Sequence, residues 1–378
     1  MSSRRRASAF FFALVAFGAG SCGPAVPHTR APATVEGRTE ERVVLYASGY
    51  APNVAIFSVD ATTGALTPAG GTPTFASSPS YLAVNPSGTT LYAIDETAAG
   101  QVGAYAIDRS NGALRLLDVV PSGGRGPAFV SVDATGAFVL VANYEDGTVS
   151  VLPVRPGGAL GAALATRSVG AEAHMIVADP SNRYVFVPCK GADYVAQFRF
   201  DAATGELSPN PMPRIATARG AGPRHLAFHP NGRFAYLVNE NSSTMTAYAL
   251  DPATGTLAEL ETQSTLPDGF SGHKEAAAVR VHPGGAWLFG SNRGDDSIVV
   301  FAIDPSTGRM KRHGFVKSGG ATPRDFVLDS AGTFLYAANQ DSNTVVPFRF
   351  DPARGSLAPA AAPVTVPAAS FVRVVSLR

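Results

Sequence analysis

The sequence is poor in cysteine, in charge and in helix signals, and each shortage removes a class of protein. Two cysteines, Cys22 and Cys189, occur in 378 residues, so no disulfide framework can stand in for a hydrophobic core. Charged residues make up 16% of the chain and the formal net charge is +1, which offers no basic stripe to a nucleic acid. The apolar run at residues 9–17 is too short to cross a bilayer. No stretch keeps apolar residues at helical spacing, and proline recurs throughout. Metal-ligand spacing, a phosphate loop, a dinucleotide fingerprint and a nucleophile elbow are all missing, so neither metal nor cofactor is expected.

What the chain does have is 39 glycines, 29 prolines and a repeat. Asp leads through a turn to Gly and an apolar residue at 60–66 (DATTGAL), 108–114, 201–207, 251–257, 304–310 and 351–357, with a degenerate copy, PGGAL, at 156–160. The repeated glycines, Gly64, Gly112, Gly158, Gly205, Gly255, Gly308 and Gly355, lie 48, 46, 47, 50, 53 and 47 residues apart. A period of about 40 to 50 residues marks a propeller or a solenoid. In one copy, RHLAFH (224–229), the turn PNG and RFAYLVNE (233–240) read as a hairpin. A third run ends on Asp251, and DPATGTL turns the chain into a fourth strand. Seven such copies predict an all-β, seven-bladed β-propeller with four-stranded antiparallel blades over residues 42–378. The first blade lacks an innermost strand, which FVRVVSL (371–377) is expected to supply. The N- and C-terminal strands would then close the ring and hide the sheet edges.

Ahead of the repeat, Arg4, Arg5 and Arg6 precede the apolar run, and Ala19, Gly20 and Ser21 lead to Cys22. Residues 1–21 read as a signal peptide of the lipoprotein type with lipidation at Cys22, and 22–41 as a flexible tether. Export to the periplasm or cell envelope follows, with membrane contact only through that anchor. Loss of 1–21 removes three of the 30 basic residues, leaving 27 against 29 acids, a net charge of −2.

Aligning the hairpins on their turns defines two rings. Ser80, Ala128, His174, Arg224, Ala277 and Arg324 open the innermost strands, six residues before the turn marker. Ten residues after the same marker come Glu96, Tyr144, Lys190, Glu240, Arg293 and Gln340, joined by Tyr50 of the first blade. Both rings fall at one end of the hairpins, so radial symmetry gathers them at one mouth of the central channel. Arginines there suit a carboxylate or phosphate, and a histidine beside a carboxylate suits proton transfer. His225, His229 and His282 read as packing residues, and Asn143, Asn239, Asn292 and Asn339 as structural amides at strand ends.

The stretch GPRHLAFHPNGRFAYLVNE (222–240) with DPATGTL, SNRGDDSIVVF (291–301) and PRDFVLDSAGTFLYAANQ (323–340) resembles the lactonase propeller family. That family includes propeller-type 6-phosphogluconolactonases and carboxymuconate cyclases. The resemblance implies a hydrolase that opens a small anionic sugar-acid or carboxylic acid lactone. It also implies His174, Arg224, Glu240 and Arg293 as catalytic residues. Lys190, Arg324, Tyr144, Glu96 and Gln340 are the expected substrate contacts. Two alternatives stand beside it: a non-catalytic exported propeller that binds a ligand or protein partner, and a lactone-forming enzyme of the muconate-cyclase type.

Overall fold

Seven antiparallel sheets succeed one another along the chain in the computed structural model, which describes residues 42–377 and the isolated Ala13 and Ala16. The signal-peptide, tether and Cys22 readings therefore lie outside the described residues. Blade 5 shows the plan: Pro223–Phe228 is innermost, followed outward by Phe234–Asn239, Thr244–Asp251 and Thr256–Ser264. Blade 1 is built from both ends of the ring, because Ala369–Leu377 pairs with Arg42–Gly49 and supplies the innermost strand. The predicted seven-bladed ring and its closure are thus both present. In blade 7 the outermost strand comes in two pieces, Ser356–Pro359 and Val364–Thr365. In blade 3 the degenerate PGGAL copy makes only the turn, and the fourth strand starts later, at Ala165–Ser168.

The repeated motif is the joint between blades. Asp60 Oδ1 accepts the backbone N–H groups of Thr62 and Thr63 at 2.9 and 2.8 Å, an Asp-stabilised turn that recurs at Asp251 and Asp304. The glycine that follows has positive φ and presses against the preceding blade. A Cβ on Gly255 (φ 68°) would lie 2.1 Å from the Tyr184 ring. Buried tyrosines of one blade donate to turn carbonyls of the next: Tyr46 to Gly112 at 2.7 Å, Tyr92 to Gly158 at 3.1 Å and Tyr236 to Gly308 at 3.1 Å. A large ring is thereby buried with its hydroxyl satisfied. The second strands, such as FAYLVN at Phe234–Asn239, are buried on both faces because a blade covers each side.

The innermost strands of blades 3, 5, 6 and 7 carry a bulge near their first residues. Register slips between Pro127 and Phe129, Pro223 and His225, Pro323 and Asp325, and Ala276 and Val279. Ala128, Arg224 and Arg324 are the extra residues in their blades. A bulge turns the extra side chain to the same side as its neighbour, so each bulged innermost strand presents two successive residues to the channel instead of one. Blade 4 departs further. His174 N donates to Pro188 O at 3.0 Å, but Pro188 has no N–H to return, and regular pairing shrinks to Val177–Ala178.

Candidate active site

The two rings meet at one mouth, and they divide into two halves. In the first half Glu240 is the hub. Its backbone is pinned by N–H donation to Gly222 O at 2.7 Å and by acceptance from Ala276 N at 3.0 Å. Its carboxylate lies 2.7 Å from Arg224 Nε, 3.1 Å from Arg293 Nη2 and 3.1 Å from Lys190 Nζ. The Arg224 Nε–H does not point along the line to the carboxylate, so that contact is ionic rather than a well-aligned hydrogen bond. Burial alone would raise the Glu240 pKa, but Arg224, Arg293 and Lys190 outweigh it and hold the carboxyl well below the usual carboxylate range. Two acids outside the aligned rings extend the network: Glu275 pairs with Arg293 at 3.1 Å and Glu172 with Lys190 at 3.5 Å. Lys190 also donates to Tyr144 Oη at 3.2 Å, and the Tyr144 ring meets His174 edge-on at 5.7 Å.

Arg224 is fixed from three directions. Besides Glu240, its Nη1 donates to Ala277 O at 2.5 Å and lies 3.4 Å from both ring nitrogens of His225. Equal distances to two nitrogens of one ring mean that the guanidinium lies over the imidazole face, a stacking arginine favours. His225 is therefore no ordinary packing residue. Its ring also meets His174 at 5.2 Å, Phe129 at 5.4 Å and Tyr81 at 6.0 Å, and Phe371 packs against Tyr81; of these rings His225, His174 and Tyr81 line a pocket, with Phe129 and Phe371 behind them. Hairpin alignment placed His225 one position past the ring, where simple alternation turns it away. Only the bulge brings it round. By contrast, His229 and His282 contact turn carbonyls of the next blade, Gly285 O at 2.9 Å and Gly332 O at 3.2 Å. The four asparagines bind strand-end hydroxyls and carbonyls, Asn239 Nδ2 reaching Thr244 and Thr246 at 3.0 and 3.1 Å.

The second half is split rather than neutralised. Arg324, half-buried, lies over the Tyr50 ring at 5.3 Å and has no carboxylate partner among the described residues. Tyr50 Oη donates to Glu96 Oε2 at 3.1 Å, and no cation among the described residues pairs with Glu96. Burial pushes the Tyr50 hydroxyl up to about 12, so it stays a donor. The Gln340 side chain has no partner among the described residues.

A single pocket is lined by Tyr50, Ser80, Glu96, His174, Arg224 and Arg324 over the Tyr81 and His225 rings, and it has room for about one water, so anything larger would rest at its mouth. His174 lies in its wall with a buried Nδ1 that has no protein partner among the described residues. Burial, and then Arg224, push the His174 pKa well below its ordinary value, so the ring is neutral at pH 7. Glu240 and Arg293 do not line this pocket; they stand behind Arg224. Asp325, also in the lining, pairs with Arg280 at 2.7 Å. Neutral imidazole, two arginines and an acceptor carboxylate around one cavity can hold an anion or a polarised carbonyl beside a water.

Fold and site define a propeller with a small anion-seeking mouth, and the family model for the seven-bladed β-propeller lactonases matches residues 30–374. The chain belongs to that lactonase family. The 6-phosphogluconolactonase of Bacillus subtilis strain 168 is 32% identical over 262 residues, covering 66% of this chain and 74% of its own. That of Pectobacterium carotovorum is 35% identical over 202 residues, spanning 60% of the relative's length. Among solved structures, the periplasmic gluconolactonase PpgL of Pseudomonas aeruginosa superimposes with a TM-score of 0.84 at 30% identity, over 89% of this chain and all of that one.

Proposed function

We propose that this protein hydrolyses a small sugar-acid lactone, in the manner of a 6-phosphogluconolactonase or gluconolactonase, and so serves carbohydrate metabolism. The observation that carries this reading is a neutral His174, its Nδ1 without a partner among the described residues, in one pocket with Arg224 and Arg324. Water oxygen bonds to the acyl carbon while the carbonyl oxygen gains negative charge. The ring C–O bond then breaks, the departing ring oxygen takes the proton the water gave up, and a hydroxy acid leaves.

In this scheme Arg324 and the uncommitted amino group of Arg224 receive the carbonyl oxygen or the substrate's anionic group. Glu240, Arg293 and Lys190 act by holding Arg224 in place. His174 accepts a hydrogen bond from the attacking water. The arginines that depress its basicity are offset once an anion occupies the pocket, which makes the imidazole a better proton acceptor when substrate is bound. Tyr144 and Gln340 do not line the pocket; Tyr144 acts through its contacts with Lys190 and His174.

The test is turnover of a panel of lactones with spontaneous hydrolysis subtracted. Arg324→Ala, which breaks no ion pair, should lower kcat/KM by about 10²-fold or more with an unchanged melting temperature. Wild-type rates no faster than the blank on every lactone would refute the proposal. They would support instead a non-catalytic anion-binding propeller, a reading favoured by the three cations already committed to Glu240.

We also propose export. The Arg4–Arg6 cluster, the apolar run and Cys22 support it, as does likeness to a periplasmic gluconolactonase. Cell fractionation should find the protein outside the cytoplasm and membrane-bound, and Cys22→Ser should release it; cytoplasmic recovery refutes export.

A further inference from the structure

Among the described residues, the mouth carries a carboxylate without a cation, Glu96, and a cation without a carboxylate, Arg324. Glu96 lines the same pocket as Arg324, and Tyr50 stands between them, its ring under the guanidinium at 5.3 Å and its hydroxyl on Glu96 Oε2 at 3.1 Å. Glu96 is held at its backbone by N–H donation to Ser78 O at 3.0 Å. Tyr50 takes up only one of its oxygens, so Oε1 keeps its full acceptor capacity toward the pocket. The acids of the other half are occupied by cations instead: Glu240 by Arg224, Arg293 and Lys190, Glu275 by Arg293, Glu172 by Lys190.

A bare carboxylate in a half-buried wall rewards hydroxyl donors and repels a second negative charge. We propose that Glu96 is the specificity residue of the site: its free oxygen accepts hydrogen bonds from hydroxyls of the substrate ring, so the site takes a polyhydroxylated lactone with at most one anionic group, seated at Arg324, and rejects lactones bearing a carboxylate on the Glu96 side. Among the substrate classes open to this family, that selects the sugar-derived lactones over the dicarboxylate-derived ones. The inference rests on the lactone-site reading above and adds which wall discriminates.

The experiment compares glucono-δ-lactone with 3-carboxymuconolactone, which bears two carboxylates, in turnover, and gluconate with cis,cis-muconate in calorimetric binding, for wild type, Glu96→Gln and Glu145→Gln. In Glu96→Gln the new amide oxygen still accepts from Tyr50, so the fold is spared. Glu145, exposed and paired with Arg125 at 3.2 Å, controls for the change in net charge. Wild type should prefer the polyol of each pair. Glu96→Gln should narrow that preference at least 10-fold, chiefly by improving the carboxylate-rich ligand, while Glu145→Gln leaves it unchanged. An unaltered ratio in Glu96→Gln, or a wild-type preference for the dicarboxylate, overturns the inference. If neither lactone turns over but the binding ratio shifts as stated, the hydrolase reading fails and the selectivity of Glu96 stands. Binding of neither ligand overturns both.

Discussion

Replacing Glu240 with Gln keeps the shape of the hub and removes the one charge that three cations share. The side chain is 8% exposed, and Arg224, Arg293 and Lys190 lie within 3.1 Å of it. Breaking a buried ion pair from one side costs about 3 to 5 kcal/mol, because the remaining charge is left buried without a partner. Glu275 and Glu172 stay on Arg293 and Lys190, so Arg224, itself buried, suffers most. A loss of about 3 kcal/mol is the expectation at pH 7, read from urea unfolding followed by fluorescence. The pH dependence adds a sharper check. The folded-state pKa of Glu240 lies below its unfolded value near 4.5, so its contribution is complete above pH 4.5 and is lost as pH falls toward the depressed folded value. The gap between wild type and Glu240→Gln should therefore hold from pH 7 to about 5 and shrink steadily below about 4.5. A gap under about 1 kcal/mol at pH 7, or one that stays constant down to about pH 3, would refute the hub as drawn.

Three further outcomes follow from the geometry. His225→Ala removes the face on which Arg224 rests and should weaken gluconate binding about 10-fold, whereas His225→Phe, which restores a flat ring, should recover most of it; equal losses in both would show that stacking is irrelevant. Gly255→Ala combines a positive φ with a Cβ 2.1 Å from Tyr184, and should lower stability by more than about 2 kcal/mol; Gly232→Ala, with a similar φ and open space, should cost about 1 kcal/mol, and parity between them would deny the blade joint its role. Burial pushes the Cys189 thiol up to about 12, so in the folded protein iodoacetamide at about pH 8 should leave Cys189 unmodified on peptide mapping, with full labelling in urea; prompt labelling of the native protein would contradict the burial.

The blades were legible because each copy repeats a local solution: an Asp that caps its own turn, a glycine where φ is positive and space is absent, and strands with the alternation or continuous apolarity their layer demands. Period and pattern suffice for that, since every element is determined within about ten residues of itself or by the same element one period away. The rings were legible for the same reason, and His174, Arg224 and Arg324 do face one pocket. Its floor was not. His225 reaches the pocket only because a bulge re-aims it, and no composition or spacing at 222–226 separates a bulged start from a regular one. Glu172 and Glu275 escaped notice because each pairs with a residue from the strand beside it, outside the aligned positions.

The sequence by itself determined the number of blades, the residue that stands at each ring position and the closure of blade 1 by the C-terminal strand. Tertiary structure alone decided which of those charges cancel. Coulomb attraction falls with distance and grows as water is excluded, so the difference between Arg293, neutralised behind Arg224, and Arg324, beside Tyr50 with no carboxylate partner among the described residues, is a matter of a few ångströms between segments brought together from different blades.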